Sequence, residues 1–398
     1  MAAAAASGRP TRKKKASKAP SLAVVVEDSD AGAALSTADE ARILAERELL
    51  QRAAQEPSMS IGAGADFSVT DHTLRVGQLR VTGDGEMSFG VPAVPKSDTP
   101  VLAGPDAVGD VVDFGDLTTL RVLGSGASST VRLAREGRTG RFVALKAVKI
   151  YERSKRDQLL GELATLFACD CECLIGFHGA TYREGEVLVA LEYMDVGGLD
   201  SVIAKTGAVP KRALAGICFQ ACFGLGYLMV ERRVHRDVKG GNILVNSDGR
   251  VVLTDFGLSR ELATAVLART FVGTFKYLSP ERMASQEYGY AADTWSLGLL
   301  LLEAGLGKYP YGESSATIGY VDLVLHGPVP LPEKGGASGL SDACIDCLGS
   351  MLRKEPKARA VAPDVLHHPW LAEQGITDLD AAKQAVFEWL VEAGLAKA

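Results

Sequence analysis

Two short polar motifs that lie close together place the strongest constraint on how this chain folds. His235–Asn242 has the sequence HRDVKGGN, and Asp255-Phe256-Gly257 begins thirteen residues after Asn242. Phosphoryl transfer needs a residue that positions the incoming hydroxyl, a cation near the moving phosphate and oxygen ligands for magnesium. The two motifs supply all three, as Asp237, as Lys239, and as Asn242 together with Asp255. The fold has to bring these side chains to one place.

A glycine-rich segment earlier in the chain is a candidate for binding phosphate. Leu123–Val131 has the sequence LGSGASSTV, and glycine lets backbone amides approach phosphate oxygens because no side chain holds the loop away. Ser129 stands where the third glycine of a G-x-G-x-x-G motif would be. By itself the segment is equally compatible with an ordinary hairpin turn.

A lysine follows the apolar run Val143-Ala144-Leu145 about twenty residues after the glycines. A buried lysine without a partner is costly, so Lys146 is expected to pair with anions. Phosphate oxygens would supply one partner, and Glu162 in a helical segment over 158–162 would supply another. The alternative is an edge-strand lysine that reaches solvent, and Lys149 is then an equally good candidate.

The hydrophobic pattern changes from strand-like to helical along the chain. A strand-rich lobe followed by a helix-rich lobe implies a cleft between them, where the motifs would meet. The predicted strands cover Leu117–Leu123, Val131–Arg135, Phe142–Val148 and Val187–Tyr193. The predicted helices cover Arg212–Glu231, Ala292–Leu306, Leu340–Leu352, Val361–His367 and, in the tail, Asp378–Ala396.

In this order, the motifs resemble those of the eukaryotic protein kinase family. The resemblance runs from about Phe114 to Leu371 and implies an α+β, two-lobed kinase fold. A small β-rich N-lobe and a larger helical C-lobe would hold ATP in the cleft between them. The resemblance continues through Gly273-Thr274, Ser279-Pro280-Glu281, the DTWSLG segment Asp293–Gly298, and Arg359. Glu281 and Arg359 would form a buried ion pair, and Asp293 would anchor the catalytic loop.

The resemblance also implies roles for individual residues. The catalytic set is Asp237, Lys239, Lys146 and Glu162, and the magnesium ligands are Asn242 and Asp255. The hinge whose backbone holds adenine would be Glu192-Tyr193-Met194, with Leu191 as the gatekeeper. The full ATP-binding set is Leu123, Gly124, Ser125, Gly126, Ala127, Ser128, Ser129, Val131, Ala144, Lys146, Leu191, Glu192, Met194 and Asp200.

Within that family the chain resembles the MAP kinase kinases. Gly273–Arg282, which reads GTFKYLSPER, is similar to their G-T-x-x-Y-M-S-P-E-R run. This implies a dual-specificity enzyme that acts on the Thr and Tyr of a MAP kinase activation loop and answers to an upstream MAP kinase kinase kinase. Lys239-Gly240-Gly241-Asn242 lacks the usual Pro-Ser and is closer to that upstream tier of Ser/Thr kinases, which is the first alternative. A pseudokinase scaffold is the second, because of Ser129.

The activation loop contains two candidate phosphorylation sites. Thr264 and Thr270 are separated by five residues, a spacing that resembles the paired phosphoacceptors of plant-type MAP kinase kinases. Each phosphate would add about −1.5 to −2 charges, and Arg236 would pair with phosphorylated Thr270 and order the loop. The alternative is that threonines simply occur in a polar loop.

Residues 1–36 are predicted to be a disordered basic tail, and residues 37–110 a regulatory extension and linker. The tail resembles a MAP kinase docking motif, with a basic cluster followed by two apolar residues: Lys13, Lys14, Lys15, Leu22 and Val24. Steering by the basic cluster would speed encounter with an acidic patch. A solvated tail, a nuclear import signal and a transit peptide are the alternatives. In the extension, Thr37–Ala54 has a helical pattern, and Leu74–Val81 followed by a turn at Gly83-Asp84-Gly85 predicts a hairpin.

Composition limits the remaining classes of function. The formal charge of −6 over 398 residues argues against a general nucleic-acid binder. Seven cysteines without a secretory leader indicate reduced thiols, and Cys169, Cys171 and Cys173 lack the spacing of zinc ligands. No apolar run approaches the roughly 18 residues of a membrane span. We expect a cytoplasmic protein, with the nucleus as a second location, in which 111–371 is the kinase domain and 372–398 a helical tail.

Overall fold

The computed structural model describes residues 67–70, 73–76, 79–82, 87–89, 112–126, 129–149, 169, 171–183, 186–256, 275–312 and 317–397. The chain divides into two units, Met1–Arg52 and Ala53–Ala398, and all described residues belong to the second. Several predictions therefore lie outside the described residues. These are the basic tail with its docking residues, the helix from Thr37, Ala127, Ser128, Glu162, Thr264 and Thr270.

A small antiparallel sheet precedes the predicted kinase domain. Its strands, in spatial order, are β1 (Phe67–Thr70), β2 (Thr73–Val76), β3 (Leu79–Thr82) and β4 (Met87–Phe89). The hairpin predicted from Leu74–Val81 and the turn after it differs in one respect, because that segment forms two strands, β2 and β3, which pair with each other. The predicted pairing across residues 83–85 is present between β3 and β4.

The N-lobe is built on a second, five-stranded antiparallel sheet. Its strands are β5 (Leu117–Ser125), β6 (Ser129–Glu136), β7 (Phe142–Lys149), β8 (Phe177–Arg183) and β9 (Glu186–Glu192), and their spatial order is β5-β6-β7-β9-β8. The four predicted strands are confirmed. Strand β8 was not predicted, because its residues show no clear alternation of apolar and polar positions. A small core of Val112, Phe114, Ala134, Val143, Leu145 and Ala190 is buried in this lobe.

The C-lobe is mainly helical. Three short strands form an antiparallel sheet next to the catalytic motifs. They are β10 (Gly197–Gly198), β11 (Ile243–Val245) and β12 (Val251–Leu253). The helices are α1 (Leu199–Thr206), α2 (Lys211–Val230), α3 (Pro280–Met283), α4 (Tyr290–Leu306), α5 (Thr317–Leu325), α6 (Asp342–Met351), α7 (Ala362–Leu366), α8 (Pro369–Glu373) and α9 (Leu379–Glu392). All five predicted helices are present, while the shorter helices α1, α3, α5 and α8 were not predicted. The two lobes agree with the expected α+β, two-lobed fold.

Helix α2 is the apolar centre of the C-lobe. Among the described residues, α2 is the helix whose length and apolar composition would suit a membrane span. However, 72% of its most apolar stretch is buried inside the protein. Its buried residues include Leu214, Ile217 and Leu225, which belong to the same core as Trp295 of α4. Packing within the C-lobe therefore accounts for the hydropathy of α2.

A buried ion pair joins α3 to the segment before α7. Arg359 donates to both oxygens of Glu281, at 2.7 and 2.9 Å, and its guanidinium lies 5.1 Å from the ring centroid of Trp295. Burial alone would raise the pKa of Glu281, but the hydrogen bonds and charge of Arg359 outweigh it and lower that pKa. The two side chains are almost fully buried, so each charge depends on the other to remain inside the protein.

The tail helix α9 is docked onto α2 along a continuous apolar side. Ala382, Ala385, Val386, Trp389 and Leu390 are buried. Asp378 caps the helix, because its side chain accepts the backbone N–H of Ala381 at 2.8 Å. At the middle of the helix the β11–β12 connection approaches so closely that only a glycine fits, at Gly249.

Replacing Gly249 by Ala is expected to displace α9. A Cβ there would lie 2.2 Å from the carbonyl oxygen of Lys383 and 2.5 Å from the backbone nitrogen of Phe387, and φ is +79°. The left-handed backbone costs about 1–2 kcal/mol for a residue with a side chain, and the overlap adds about 1–3 kcal/mol. Chemical denaturation measures the loss. Gly312→Ala is the matched control, because φ is +72° with nothing within 4 Å; equal losses in both variants would contradict the packing of α9.

Candidate active site

Lys146 and Asp255 form an ion pair that joins the two lobes. Lys146 lies on β7 and is 4% exposed, and its Nζ is 2.8 Å from Oδ1 of Asp255, which follows β12. Lys149, the alternative candidate, is exposed at the end of β7. The expectation that Lys146 has an anionic partner is met here by Asp255, while the predicted partner Glu162 lies outside the described residues.

The carboxylate of Asp237 is held by two neighbours from its own loop. Its Oδ2 accepts a hydrogen bond from Nζ of Lys239 at 2.7 Å and another from Nδ2 of Asn242 at 2.8 Å. Nδ2 of Asn242 also donates to the backbone carbonyl of Asp237 at 2.8 Å, which closes the loop on itself. Gly240–Asn242 form a 3₁₀ turn, which brings the side chain of Asn242 back to Asp237. The structure thus brings three predicted site residues into direct contact.

The paired strands β11 and β12 carry Asn242 and Asp255 to the same end of their hairpin. The backbone N–H of Thr254 donates to the carbonyl of Asn242 at 3.0 Å, so the two predicted metal ligands flank one backbone hydrogen bond. Asp255 has a φ of +60°, an unusual conformation for a residue with a side chain. In this conformation the carboxylate of Asp255 contacts Nζ of Lys146.

Asp293 of α4 fixes the loop that carries Asp237. It is 3% exposed, and its two oxygens accept the backbone N–H groups of His235 and Arg236 at 2.7 and 2.8 Å. Burial raises the pKa of Asp293, and these two donors oppose that effect. Arg236 has a φ of +72°, so the pair of hydrogen bonds stabilises a strained turn of the chain.

His235 supports the same loop as a neutral ring. Burial lowers its pKa, and its Nδ1 accepts the backbone N–H of Asp237 at 3.3 Å. The ring packs edge-on against Phe256 with centroids 6.0 Å apart. The loop His235–Asn242 and the segment Thr254-Asp255-Phe256 are therefore joined by an aromatic contact as well as by the hydrogen bond from Thr254 to Asn242.

The nucleotide-binding candidates of the N-lobe that the structure describes lie on strands β5, β6, β7 and β9 or directly after them. The N–H of Gly126 donates to the carbonyl of Ser129 at 2.8 Å across the glycine turn, and Gly124 pairs with Val131 between β5 and β6. Ala144 pairs with Leu191 between β7 and β9, and Leu191 and Met194 are buried. The carboxylate of Glu192 does not join them, because it binds Arg250 and the N–H of Gly176.

A groove of 580 Å³ extends from the catalytic loop into the C-lobe. Asp200, predicted to bind ATP, lies at the start of α1 on its wall, and Lys239 lies on the same wall. Three further charged or polar residues of the groove were missed by the sequence analysis: Lys276, Tyr277 and Glu303. The signal for two of them was present in the GTFKYLSPER run, but the motif does not show which side chains line a groove.

The site offers a donor set that suits a hard divalent cation. Asn242 and Asp255 present one amide and one carboxylate oxygen ligand, the class that magnesium prefers, and magnesium commonly takes its other ligands from phosphate and water. Among the described residues no group of three or more His, Cys, Asp or Glu is placed to hold a metal ion alone. The residues present therefore fit a cation that arrives with phosphate oxygens.

The cysteines at 169, 171 and 173 have the character of structural thiols. Each is free, and burial raises the pKa of Cys169 to about 11 and also raises the pKa of Cys171 and Cys173. Thiols that resist ionisation are poor nucleophiles, which is the behaviour of thiols that serve packing.

Comparison with known proteins gives one family and a consistent set of relatives. The protein kinase domain family matches residues 117–371. "Mitogen-activated protein kinase kinase 3" of Arabidopsis thaliana is 39% identical over 280 residues, which cover 69% of this chain and 53%, or about half, of that relative. "Mitogen-activated protein kinase kinase 2" of the same plant is 33% identical over 326 residues, 79% of this chain and 87% of the relative. "Dual specificity mitogen-activated protein kinase kinase 1" of Dictyostelium discoideum is 40% identical over 205 residues, 51% of this chain and 31% of the relative.

Asp293→Asn is expected to loosen the catalytic loop. An amide offers one acceptor oxygen where the carboxylate offers two, so one backbone N–H would face an NH₂ group and the free energy of unfolding would fall by about 2–3 kcal/mol. Denaturant unfolding gives the loss, and hydrogen exchange at the amides of His235 and Arg236 shows where it acts. Asp342→Asn is the control, since exposed Asp342 accepts a single N–H from Gly335. Unchanged exchange at both amides in the Asp293 variant would contradict the anchoring role.

Proposed function

Because this chain belongs to the protein kinase family and, within it, to the MAP kinase kinases, we propose that it phosphorylates a MAP kinase. In this proposal the γ-phosphoryl group of ATP is transferred to the Thr and Tyr of the MAP kinase activation loop. The observation that carries the proposal is the contact of Asp237 with Lys239 and Asn242, next to the Lys146–Asp255 pair.

Asp237 is the residue that receives the substrate hydroxyl. Its Oδ2 is held by Lys239 and Asn242, so the carboxylate is oriented before a substrate arrives and can accept the hydroxyl proton as the oxygen attacks. Lys239 lies beside it, where an ammonium neutralises the charge of the transferred phosphoryl group. Lys146, fixed on β7, positions the nucleotide phosphates from the N-lobe side.

Asn242 and Asp255 are the residues that would hold Mg²⁺. When bound, the ion supplies charge neutralisation across the phosphate oxygens. Asp255 already contacts Lys146 at 2.8 Å, so one carboxylate faces both the lysine and the position of the cation. Asp255 has a positive φ, a strained conformation of the kind that is frequent at functional sites.

Phosphorylation of Thr264 and Thr270 is proposed to activate the enzyme through Arg236. The buried Nε of Arg236 has no hydrogen-bond partner among the described residues, and an unpaired buried donor is unfavourable. A phosphate on the activation loop would provide charge-assisted acceptors for this guanidinium. Arg236 is next to Asp237, so the added contact would order the loop at the catalytic carboxylate.

A Ser/Thr kinase of the upstream tier is the second candidate. It is favoured by Lys239-Gly240-Gly241-Asn242, which lacks the Pro-Ser of most MAP kinase kinases. The two candidates differ in their acceptor, because the upstream tier would not phosphorylate tyrosine in a MAP kinase. A pseudokinase scaffold is disfavoured by the oriented Asp237 and by the Lys146–Asp255 pair.

The proposal is tested by mass spectrometry of candidate MAP kinases incubated with Mg-ATP and the full chain carrying Thr264→Asp and Thr270→Asp. Phosphate is expected on both the Thr and the Tyr of the activation loop.

Asp237→Asn is expected to lower the rate by several decades, each decade being about 1.4 kcal/mol of activation barrier. Deleting Pro10–Val26 should slow phosphorylation if that tail docks the substrate. Phosphothreonine without phosphotyrosine would favour the upstream tier, and activity that survives Asp237→Asn would contradict the mechanism.

A chain with Thr264→Ala and Thr270→Ala tests activation separately. It is expected to bind nucleotide like the wild-type chain but to gain no activity when an upstream kinase is added. Phosphate incorporation and MAP kinase phosphorylation are measured in the same reaction. Full activation of the double variant by the upstream kinase would reject both residues as the switch.

A further inference from the structure

The 580 Å³ groove beside the catalytic loop is lined by residues of that loop, among them Lys239. Lys239 contacts Asp237 at 2.7 Å, so the groove adjoins the carboxylate that is proposed to receive the substrate hydroxyl. Lys276 and Tyr277, in the short 3₁₀ turn Phe275–Tyr277, also line the groove. A protein segment whose hydroxyl reaches Asp237 would therefore have neighbouring residues in contact with this groove.

The backbone of Lys276 is fixed by two tyrosines. Its carbonyl oxygen lies 2.6 Å from the hydroxyl of Tyr309 and 2.6 Å from the hydroxyl of Tyr320, and these two hydroxyls are 2.6 Å from each other. Burial raises the pKa of Tyr320 to about 12 and raises that of Tyr309 further. Both therefore keep their protons at neutral pH. Because the anchor is the backbone carbonyl, a change of the Lys276 side chain leaves it in place.

The ammonium of Lys276 has partners within the protein, and its side chain is also partly exposed to solvent. Its Nζ is 3.2 Å from Oε1 of Glu303 and 4.3 Å from the ring centroid of Tyr309, while its side chain remains 43% exposed. An ammonium has three N–H donors. The carboxylate and the Tyr309 ring are its nearest partners, and the ring centroid of Tyr277 lies 5.9 Å away. The exposed part of the Lys276 side chain remains open to a group that enters the groove.

Glu303, the acidic neighbour, has both of its oxygens occupied. Oε2 accepts the hydroxyl of Tyr277 at 2.6 Å, and Oε1 faces Lys276. Burial and the contact with Glu303 raise the pKa of Tyr277, so the hydroxyl stays a donor. With a side chain that is only 16% exposed, Glu303 is poorly placed to attract a cation from the substrate. Lys276 contributes an accessible positive charge to the groove, which exposed Asp200 also lines.

We propose that Lys276 is a specificity-determining residue that binds an acidic side chain of the protein substrate, close in sequence to the phosphorylated residue. The proposal rests on the proposed function, because it requires a protein segment to lie in the groove with its hydroxyl at Asp237. Lys276 acts on binding of the flanking residue and takes no part in the transfer itself. Its ion pair with Glu303 is partly exposed, and such pairs contribute little to stability.

The test is a degenerate peptide library phosphorylated by the full chain carrying Thr264→Asp and Thr270→Asp, read out as the preferred residue at each flanking position. The wild-type groove is expected to select Asp or Glu at one or more positions. Lys276→Met keeps a long unbranched side chain without the charge and should abolish that selection. Lys276→Glu should reverse it toward Lys or Arg, and KM for the preferred acidic peptide should rise about tenfold with kcat little changed.

Lys308→Glu is the matched control, because Lys308 is an exposed lysine one residue beyond Gly307, which lines the groove. It should keep the acidic preference. The proposal is overturned if the wild-type library shows no acidic preference, or if Lys276→Met and Lys276→Glu both retain it. The binding of a nucleotide analogue, measured in each variant, verifies that the site is folded.

Failure of the proposed function gives a different result. In that case no candidate MAP kinase is phosphorylated on Thr and Tyr, while the peptide library still reports the selectivity of the groove. A preference for acidic peptides that depends on Lys276 would then indicate that the chain is a kinase with another protein substrate.

Discussion

The contact between Lys146 and Asp255 is the interaction on which the rest of the site depends. It joins β7 of the N-lobe to the residue that follows β12 of the C-lobe across 2.8 Å. A lysine that is 4% exposed requires an anionic partner, and the partner here is a proposed magnesium ligand. The same ion pair therefore stabilises a buried charge and sets the position of the cleft at which the nucleotide phosphates would bind.

Below the cleft, the C-lobe holds its catalytic loop with buried charge. Asp293 receives two backbone N–H groups of the loop, and the Glu281–Arg359 pair fixes the segment that carries Lys276 and Tyr277. Buried polar groups that are fully hydrogen-bonded favour one arrangement over its alternatives. The loop that presents Asp237 and the groove that would receive the substrate are thus supported from the same helix, α4, which also contributes Glu303.

Much of this site was predictable because its residues are adjacent in sequence. Asp237, Lys239 and Asn242 come from eight consecutive residues, and their spacing already requires a tight turn. The groove was not predictable in the same way, since Lys276, Glu303 and Tyr309 are brought together only by the packing of α4 against the segments that flank it. Strand β8 and helices α1, α3, α5 and α8 were not predicted because their short segments have weak periodicity, and their placement depends on contacts with distant parts of the chain.

The most direct test of this account is the affinity of the full chain for a non-hydrolysable ATP analogue with and without Mg²⁺. Mg²⁺ is expected to strengthen binding about tenfold or more, because the ion links phosphate oxygens to Asp255 and Asn242. Asp255→Asn should remove most of that gain, whereas Asp248→Asn, at an exposed position in the same hairpin, should keep it. A wild-type chain that binds no nucleotide, or an Asp255→Asn chain with an undiminished response to Mg²⁺, would contradict the convergence of these residues on a nucleotide and its cation.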